Sequence, residues 1–360
     1  MKIAQIAPLA ESVPPRYYGG TERIVSYLTE ELVRLGHEVT LFASGDSLTT
    51  ARLVPGRTKA VRLDPTCHDP MPHTIVMLER VRRAADKFDV LHFHIDYLHF
   101  PLFRSMADRT LTTLHGRQDL DDLLPLYMEF DDMPLVSISQ AQRAPLPVAR
   151  WAGTVHHGVP TTLYRLHERP GSYLAFLGRF SPEKQPDHAI RIAIRAGIPI
   201  KLAAKVDKAD QDYFNTCIRP LLDHPLVEFI GEIGDDRKDA FLGNARALLF
   251  PIDWPEPFGM VMIEAMATGT PVIAYRCGSV MEVIEDGVTG YIVDSQDEAV
   301  AAVTRVGRLD RRLIRTIFER RFSAERMARD YVELYRHVAV GQLPAEPERR
   351  PSSQPPTYRA

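Results

Sequence analysis

Short apolar runs alternate with amphipathic stretches along the first half of this 360-residue chain. Residues 3–7 form an apolar run typical of a buried strand, and residues 21–35 carry apolar side chains on one helical stripe that ends at Gly36. Further strand patterns follow at residues 39–43, 90–93, 110–114 and 135–138. Because strands that alternate with helices form parallel sheets covered on both faces, this half predicts a doubly wound α/β domain.

The pattern breaks at residues 155–172, VHHGVPTTLYRLHERPGS, where Pro, Gly and His replace the periodicity, as in an interdomain linker. The same order of strand, Gly-containing loop and helix then recurs from residue 173. Later strand patterns lie at residues 200–204, 227–230, 247–250, 271–274 and 290–293. We therefore predict two such domains, residues 1–160 and 161–340, and a Pro-rich disordered tail at 341–360. Ligands of these sheets bind at the carboxyl ends of the strands, which predicts a shared substrate in the cleft between the domains.

Composition and charge are those of an ordinary globular protein. The chain is 45% hydrophobic with a net charge of −3, which provides no electrostatic argument for nucleic acid as a partner. Its three cysteines, Cys67, Cys217 and Cys277, are scattered and fit neither a disulfide framework nor a metal cluster. The opening apolar run is too short for a signal peptide, and no run is long enough to span a bilayer. We therefore expect a cytoplasmic protein.

Residues 251–274, PIDWPEPFGMVMIEAMATGTPVIA, are the most informative stretch. Glu264 is the only charged residue between Pro257 and Ala274. Burial of a carboxylate without partners is unfavourable, so a polar group should meet it. That group is either an internal partner, such as a backbone amide or an Arg, or a ligand.

The neighbours of Glu264 favour a ligand. Glu256 lies between two prolines, so the helix that carries Glu264 should begin near residues 258–259. Three backbone amides of its first turn would be free to bind an anion: Gly259, Met260 and Val261. Glu264 lies about 7.5 Å further along the helix than Gly259. Carboxylates bind vicinal hydroxyl groups, so two carboxylates on either side of an anion site predict a nucleotide-sugar.

The first loop of each predicted domain carries further candidates. Gly19 and Gly20 follow the first strand, where they either let a ligand approach the backbone or form a tight turn. Arg179 and Lys184, in LGRFSPEKQPDHAI, occupy the same place in the second domain. This pair either holds a diphosphate or remains two surface cations, and its position at the cleft favours the diphosphate.

Histidines and charged clusters complete the candidates. His115 ends a strand before Gly116 and is an active-site candidate. His92 and His94 alternate on another strand without a third metal ligand, which predicts packing or hydrogen bonding. The D-x-D triplets at residues 119–121 and 210–212 are interpreted as solvated surface. Six arginines of a helix predicted at residues 308–322 are also interpreted as a solvated face, with peripheral contact to an anionic membrane as the alternative.

These residues stand in a known pattern. The E-x7-E spacing of Glu256 and Glu264 within EPFGMVMIEAMATGTPVIA resembles that of the family 4 retaining glycosyltransferases (GT-B type, glycosyl transferases group 1). Further matches are YYGGTERIVSYLTEELVRLGHEVTLFASGDS, DVLHFH, LGRFSPEK and GSVMEVIEDGVTGYIVD, so the resemblance covers residues 1–338. It implies a GT-B fold: two Rossmann-like doubly wound parallel-sheet domains face a central cleft, the first for the acceptor and the second for the donor. The last helix, FSAERMARDYVELYRHV, would cross back to the first domain.

The resemblance also implies a role for each residue of the second domain. Arg179 and Lys184 would bind the donor diphosphate, and Glu264 would bind the ribose hydroxyls. Glu256 would lie beside the transferred sugar. Backbone contacts around that sugar and the phosphates would come from Phe258, Gly259, Met260 and Val261.

In the first domain, Gly20, with Gly19 beside it, would lie near the phosphates, and His115 near the sugar and the acceptor. Two positions depart from the family pattern. Gln185 stands where a Gly often follows the phosphate-binding Lys, and Gly278-Ser279 stands where Gly-Gly is common. Both departures bear on the geometry of the donor loops.

The implied function is retaining, metal-independent transfer of a sugar from a nucleotide-diphosphate donor to a hydroxyl group of a small or lipid-linked acceptor. The catalytic candidates are His115, Glu256, Arg179 and Lys184, and no cofactor is expected. Two other functions use the same architecture. One is a nucleotide-sugar 2-epimerase, and the other is a nucleotide-sugar-binding protein without catalysis.

Overall fold

The computed structural model describes residues 1–16, 19–62 and 64–341. Residues 342–360, nearly all of the predicted disordered tail, lie outside the described residues, as do Tyr17 and Tyr18 of the first motif. Within the described part, the strands form two parallel sheets, which confirms the predicted α/β class and GT-B architecture.

The first sheet has seven described strands in the order β3-β2-β1-β4-β5-β6-β7. They are β1 Lys2–Ile6, β2 Glu38–Ser44, β3 Arg52–Arg57, β4 Val90–Phe93, β5 Thr110–Thr113, β6 Leu135–Ser137 and β7 Trp151–Thr154. The helices of this half are α1 Gly20–Arg34, α2 Met71–Ala84, α3 Phe100–Phe103, α4 Leu123–Glu129 and α5 Gln140–Arg143.

The second sheet has six described strands in the order β10-β9-β8-β11-β12-β13. They are β8 Tyr173–Arg179, β9 Ile200–Lys205, β10 Val227–Gly231, β11 Ala245–Phe250, β12 Val272–Tyr275 and β13 Gly290–Val293. The helices are α6 Pro186–Ala196, α7 Gln211–Tyr213, α8 Asp235–Gly243, α9 Met260–Ala267, α10 Val280–Val283, α11 Gln296–Arg305, α12 Arg311–Phe322 and α13 Ala324–Ala339.

The strand order places a reversal beside the first strand of each sheet. β1 pairs with β2 on one side and β4 on the other, and β8 pairs with β9 and β11 in the same way. The loops after such neighbouring strands leave in opposite directions and open a crevice at their carboxyl ends. The loops that follow β1, β8 and β11 carry Gly19, Lys184 and Glu256, so the topology directs all three toward this edge.

Sequence patterning located the central strands more reliably than the edge strands. All residues of β4, VLHF, and β5, TLTT, are buried because helices cover both faces, and both strands are rich in the β-branched and aromatic residues that favour strands. β3, RLVPGR, was not predicted because it is an edge strand with two arginines, a Pro and a Gly. β7, WAGT, was also missed, since four residues next to the linker show no alternation.

The last helix, α13, packs on the first sheet. Its Met327, Tyr331 and Tyr335 share one buried apolar cluster with Ile3 of β1 and Leu28 of α1. This contact joins the end of the described chain to its beginning. Among the residues that the structure describes, no helix has both the length and the apolar composition needed to cross a bilayer.

The solvated face predicted for the arginines of residues 308–322 is wrong for Arg311. This side chain is buried, and it donates hydrogen bonds to the backbone carbonyls of Gly243 (2.8 Å) and Ala245 (3.0 Å) and to the hydroxyl of Thr270. α12 itself begins at Arg311, after Asp310, whose carboxylate accepts a hydrogen bond from the N–H of Arg312 (2.8 Å). A guanidinium that satisfies buried carbonyls cannot be distinguished from a solvated one by helical spacing alone.

Replacement of Arg311 by Met is expected to lower the free energy of unfolding by about 3 kcal/mol, because two buried carbonyls would lose their donors. Urea denaturation measures this change. The matched control is Arg312→Met on the same helix, since Arg312 is 70% exposed in its ion pair with Glu168 and should give no measurable loss. Equal effects of the two substitutions would contradict a structural role for Arg311.

Candidate active site

A cleft of about 620 Å³ separates the two domains at the carboxyl ends of their strands. All eleven side chains and backbone positions predicted for the site line it: Gly19, Gly20, His115, Arg179, Lys184, Glu256, Phe258, Gly259, Met260, Val261 and Glu264. The structure therefore brings together residues that are as far as 245 positions apart in the sequence (264 − 19). Their functional roles stay predictions.

The wall of the cleft in the second domain contains the N-terminus of α9. The helix begins at Met260, and Gly259 before it has φ = 74°. A Cβ at Gly259 would lie 2.8 Å from Met262 Cε and 2.9 Å from Phe250 Cζ, so both the backbone conformation and the packing require glycine. The amides of Met260 and Val261, in the first turn, have no partner within the helix.

Glu264 is buried on the same helix and meets Lys238 of α8. The Nζ of Lys238 donates to Glu264 Oε1 at 2.8 Å and lies 3.3 Å from Asp235 Oδ1. Burial raises the pKa of Glu264, but Lys238 and the nearby Arg23 outweigh that effect and leave the pKa below its usual value. The internal partner that the sequence left as an alternative is thus a lysine that itself lines the cleft.

Glu256 and Lys184 form an ion pair with each other in this ligand-free structure. The indole N–H of Trp254 donates to Glu256 Oε2 at 2.9 Å, and the Lys184 ammonium lies 5.0 Å from the Trp254 ring centroid. The carboxylate and the ammonium are both largely buried, with 12% and 20% of their side chains exposed. A phosphate at this place would compete with Glu256 for the N–H donors of Lys184.

Arg179, at the end of β8, is surrounded by three carboxylates. It pairs with Glu183, lies 3.4 Å from Asp210 Oδ2 and lies 3.9 Å from Asp207 Oδ2. The solvated surface predicted for residues 210–212 is therefore wrong for Asp210, whose side chain is only 14% exposed and whose pKa is raised by burial. Asp212 is exposed, as predicted.

The opposite wall comes from the first domain. Gly19 packs against the loop before it, since a Cβ there would lie 2.7 Å from Pro15 Cβ. A Cβ at Gly20 would meet no atom of the described residues within 4 Å, and Gly20 lines the cleft. Arg23 of α1 reaches across the cleft and pairs with Asp235 at the start of α8.

Histidines form the end of the cleft. His115 Nε2 lies 2.9 Å from His94 Nδ1, and its ring stacks on that of His157 with centroids 5.3 Å apart. Burial lowers the pKa of His115 to about 3, which keeps the ring neutral. His92 hydrogen bonds to Tyr335 and Thr113, which confirms its predicted structural role. Among the described residues, no three His, Cys, Asp or Glu side chains cluster as metal ligands would.

Several residues of the cleft had no signal in the sequence. Lys238 lies in α8, DDRKDAFLG, a polar helix without apolar periodicity, and no local pattern pairs it with Glu264. His157 stands in the segment interpreted as a linker. Glu22, one turn into α1, is 5% exposed and lines the cleft, and burial raises the pKa of its carboxyl. The only sequence signal that could have placed Glu22 in the cleft was its proximity to Gly19-Gly20.

The two departures from the family pattern have visible structural consequences. Gln185 has φ = 45° and ψ = 53°, the left-handed conformation that favours glycine. Gly278 also has a positive φ (54°), and a Cβ there would lie 2.4 Å from the backbone N of Glu256. Ser279 is buried, and its hydroxyl donates to the carbonyl of Phe258 at 2.8 Å. Ser279 thus adds a hydrogen bond behind the predicted sugar-binding loop.

Replacement of Gln185 by Gly is expected to raise the free energy of unfolding by about 0.5–1 kcal/mol, because glycine adopts the left-handed conformation without strain. The loss is a single exposed hydrogen bond, from Gln185 Nε2 to Asp253 Oδ2 at 3.1 Å. Gln185→Val should have the opposite effect, since a β-branched side chain is strained at this φ. Urea denaturation of both variants measures the difference, and a less stable Gln185→Gly protein would show that the bond to Asp253 dominates.

Comparison with known proteins places this cleft in a family. The sequence model described as Glycosyl transferases group 1 matches residues 167–313, and the one described as Glycosyltransferase Family 4 matches residues 18–153. A phosphatidyl-myo-inositol mannosyltransferase of Mycolicibacterium smegmatis is 25% identical over 355 residues, which cover 86% of this chain and 85% of that protein.

Solved structures show the same architecture. AviGT4, a glycosyltransferase involved in avilamycin A biosynthesis, superposes with a TM-score of 0.71 and 26% identity, covering 95% of this chain and 98% of its own. HepE of Anabaena in complex with UDP-glucose has a TM-score of 0.71 at 17% identity, covering 92% and 98%, and shares the fold. With two family matches that together span most of the chain, this protein belongs to the family 4 glycosyltransferases and has the GT-B fold.

Proposed function

We propose that this glycosyltransferase moves a hexosyl group from a nucleotide-diphosphate donor to an acceptor hydroxyl, with retention of the anomeric configuration and without a metal ion or another cofactor. One observation carries the proposal. Two cations, Arg179 and Lys184, and the N-terminus of α9 line the cleft, with Glu256 in the loop before that helix and Glu264 on the helix itself. This arrangement matches the order of sugar, diphosphate and ribose along a nucleotide-sugar.

The donor diphosphate would take the place of internal carboxylates. Lys184 now pairs with Glu256, and Arg179 pairs with Glu183. The diphosphate carries one negative charge on each phosphate, so it can pair with both cations at once, and the guanidinium can bind its oxygens in a bidentate way. Exchange of partners would release the Glu256 carboxylate to accept hydrogen bonds from hydroxyl groups of the sugar. Glu264 would accept the two ribose hydroxyls while it keeps its bond to Lys238.

The reaction breaks the bond between the anomeric carbon and the β-phosphate oxygen and forms a bond from that carbon to the acceptor oxygen. Negative charge develops on the departing diphosphate, where Arg179, Lys184 and the α9 N-terminus stabilise it without reorganisation. The leaving phosphate oxygen takes the acceptor proton on the same face of the sugar. These groups supply the charge stabilisation that a metal ion supplies in other transferases, which supports metal independence.

The names of the relatives support a proposal only about the chemical class of the acceptor and the donor. The M. smegmatis relative is by name a mannosyltransferase that acts on phosphatidyl-myo-inositol, and HepE was solved with UDP-glucose. We propose a small or lipid-linked alcohol as the acceptor here, and a hexose as the sugar. UDP-sugars are the first donors to test.

A thermal-shift screen of UDP-, GDP- and ADP-sugars identifies the donor, and turnover with candidate alcohols follows by NMR. The anomeric coupling of the product is expected to match that of the donor, and the rate is expected to be unchanged in EDTA. An inverted product, or loss of activity in EDTA that Mg²⁺ restores, would contradict the proposal. Epimerisation of the donor without acceptor would indicate an isomerase. A thermal shift without turnover of any acceptor would indicate a binding protein.

Replacement of Glu256 by Gln is expected to lower kcat by about 10²-fold and to change the donor Kd by less than about fivefold. The carboxylate lies beside the predicted sugar, so its hydrogen bonds should strengthen as charge develops at the anomeric carbon. Removal of its charge also frees Lys184 from an internal competitor, which offsets the lost contacts in the ground state. Kinetics and calorimetry separate the two effects, and an equal loss in both would place Glu256 in ground-state binding.

A further inference from the structure

A buried chain of hydrogen bonds leads from the cleft into the first domain. His115 Nε2 lies 2.9 Å from His94 Nδ1, and His94 Nε2 lies 2.8 Å from the amide oxygen of Gln5. His94 and Gln5 are 2% and 0% exposed, so water does not compete for these bonds. His115 itself lines the cleft.

The direction of each bond follows from the chemistry of the partners. An amide oxygen only accepts, so the hydrogen of His94 must be on Nε2. A neutral imidazole carries one hydrogen, and burial lowers the pKa of His94 well below its usual value, so its Nδ1 has none and accepts. The hydrogen between the two rings therefore belongs to His115 Nε2. His115 Nδ1 is left without a hydrogen.

A second branch is compatible with this orientation of Gln5. Its amide nitrogen donates to the hydroxyl of Tyr335 at 2.9 Å, and that hydroxyl lies 2.7 Å from His92 Nδ1. His92 Nε2 lies 2.8 Å from Thr113 Oγ1, which lies 2.8 Å from the Tyr331 hydroxyl. Every bond of this branch can point away from Gln5. Reversal of the Gln5 amide would require reversal of every bond in both branches, so one choice of orientation decides the tautomers of all three histidines.

We propose that Gln5 and His94 are positioning residues that hold His115 as the Nε2–H tautomer, so that its Nδ1 accepts a hydrogen bond from a hydroxyl group of the bound substrate. Two observations support this assignment. Nδ1 of His115 is buried and has no hydrogen-bond partner among the described residues. The ring is held between His94 and the stacked ring of His157, so it cannot exchange its two nitrogens without displacing them. The identity of the hydroxyl rests on the proposed function, whereas the tautomer does not.

The tautomer is measured in the ligand-free protein by long-range 1H–15N correlation spectra after 15N-histidine labelling, with His115→Asn used for assignment. We expect a pyrrole-type Nε2 and a pyridine-type Nδ1 for His115. The opposite pattern, or rapid averaging of the two, would overturn the inference. Gln5→Glu retains an acceptor for His94 and should keep the pattern, whereas Gln5→Leu removes the acceptor and should allow the other tautomer.

Thr112→Val is the matched control, because it removes a buried hydroxyl of β5 that lies 3.0 Å from His99 Nε2, outside both branches. It should leave the His115 tautomer unchanged. If Thr112→Val and Gln5→Leu altered the tautomer alike, the network would only support the fold and the proposed polarity would be wrong.

Kinetics test the role of Nδ1 once a donor and an acceptor are known. An Asn side chain places its amide oxygen near the position of Nδ1, so His115→Asn should retain about tenfold more kcat/KM than His115→Gln, the value of one hydrogen bond. Equal losses would overturn the role of Nδ1. The expected tautomer in a protein that binds no nucleotide-sugar would refute the proposed function and leave the relay intact. The reversed tautomer in an active transferase would refute the relay and leave the proposed function intact.

Discussion

Replacement of Glu264 by Gln is expected to weaken donor binding by about 10²- to 10³-fold, as measured by calorimetry with the nucleotide-sugar that gives the largest thermal shift. The carboxylate would accept two ribose hydroxyls, and a hydrogen bond to a charged group contributes about 1.5–3 kcal/mol. Gln has nearly the same shape, so the change removes charge and one acceptor without opening a cavity. Glu264 is buried in the middle of α9 and lines the cleft.

The ion pair with Lys238 requires a control for stability. Glu264→Gln leaves a mostly buried ammonium with Asp235 as its remaining partner, which should lower the free energy of unfolding by about 3 kcal/mol. The double substitution Lys238→Met and Glu264→Gln removes both charges and should recover much of that loss. Donor binding should stay weak in the double variant. If it returned to the original affinity, Glu264 would serve only to neutralise Lys238, and the assignment of the ribose site would be wrong.

Replacement of Lys184 by Met is expected to lower kcat by about 10²- to 10³-fold, the effect of removing one preorganised group that stabilises charge in a transition state. The ammonium lies at the cleft end of the loop after β8 and would bind the diphosphate as its leaving oxygen becomes negative. Met retains much of the aliphatic stem and removes only the ammonium, which lies 5.8 Å from the Phe250 ring centroid and 5.0 Å from that of Trp254. Initial rates at saturating donor measure the change.

Lys201→Met is the matched control for Lys184. Lys201 lies near the amino end of β9, away from the cleft. Its ammonium pairs with Glu228 at 2.9 Å. It should leave kcat unchanged. A higher KM with unchanged kcat in Lys184→Met would show that Lys184 binds substrate and transition state equally, which would remove it from the catalytic group.

The fold was accessible from the sequence because its strands are buried on both faces. Burial on both sides forces apolar runs such as residues 90–93, and the helices between them carry one apolar stripe each. The edge strand β3 was not predicted because it is not buried on both faces and therefore contains two arginines, a Pro and a Gly. Arg311 was also misinterpreted, because helical spacing indicates which face of the helix a residue occupies but not whether buried backbone carbonyls lie within hydrogen-bond distance of it.

The candidate site was accessible where the residues are unusual in their local context. A lone carboxylate in an apolar helix, a carboxylate between prolines and cations at a strand end are each visible without a structure. Lys238 and His157 stand in segments without apolar periodicity, so their places in the cleft could not be predicted, and neither could the contact of Asp210 with Arg179. The ion pair of Lys184 with Glu256 joins two predicted residues, but their contact depends on the pairing of β8 with β11.

Local patterning was therefore enough to derive the two doubly wound domains, the position of the cleft and ten of its eleven predicted residues, because hydrophobic periodicity and isolated charges are properties of neighbouring positions. Phe258 was added only by the family resemblance. The partners of those residues came only from the folded chain. Glu264 meets Lys238, Arg23 meets Asp235 and His115 meets His94 through contacts between segments far apart in sequence. Electrostatic and hydrogen-bond energies depend on distances of a few ångströms, and those distances are set by how the two sheets pack and not by the order of residues along either one.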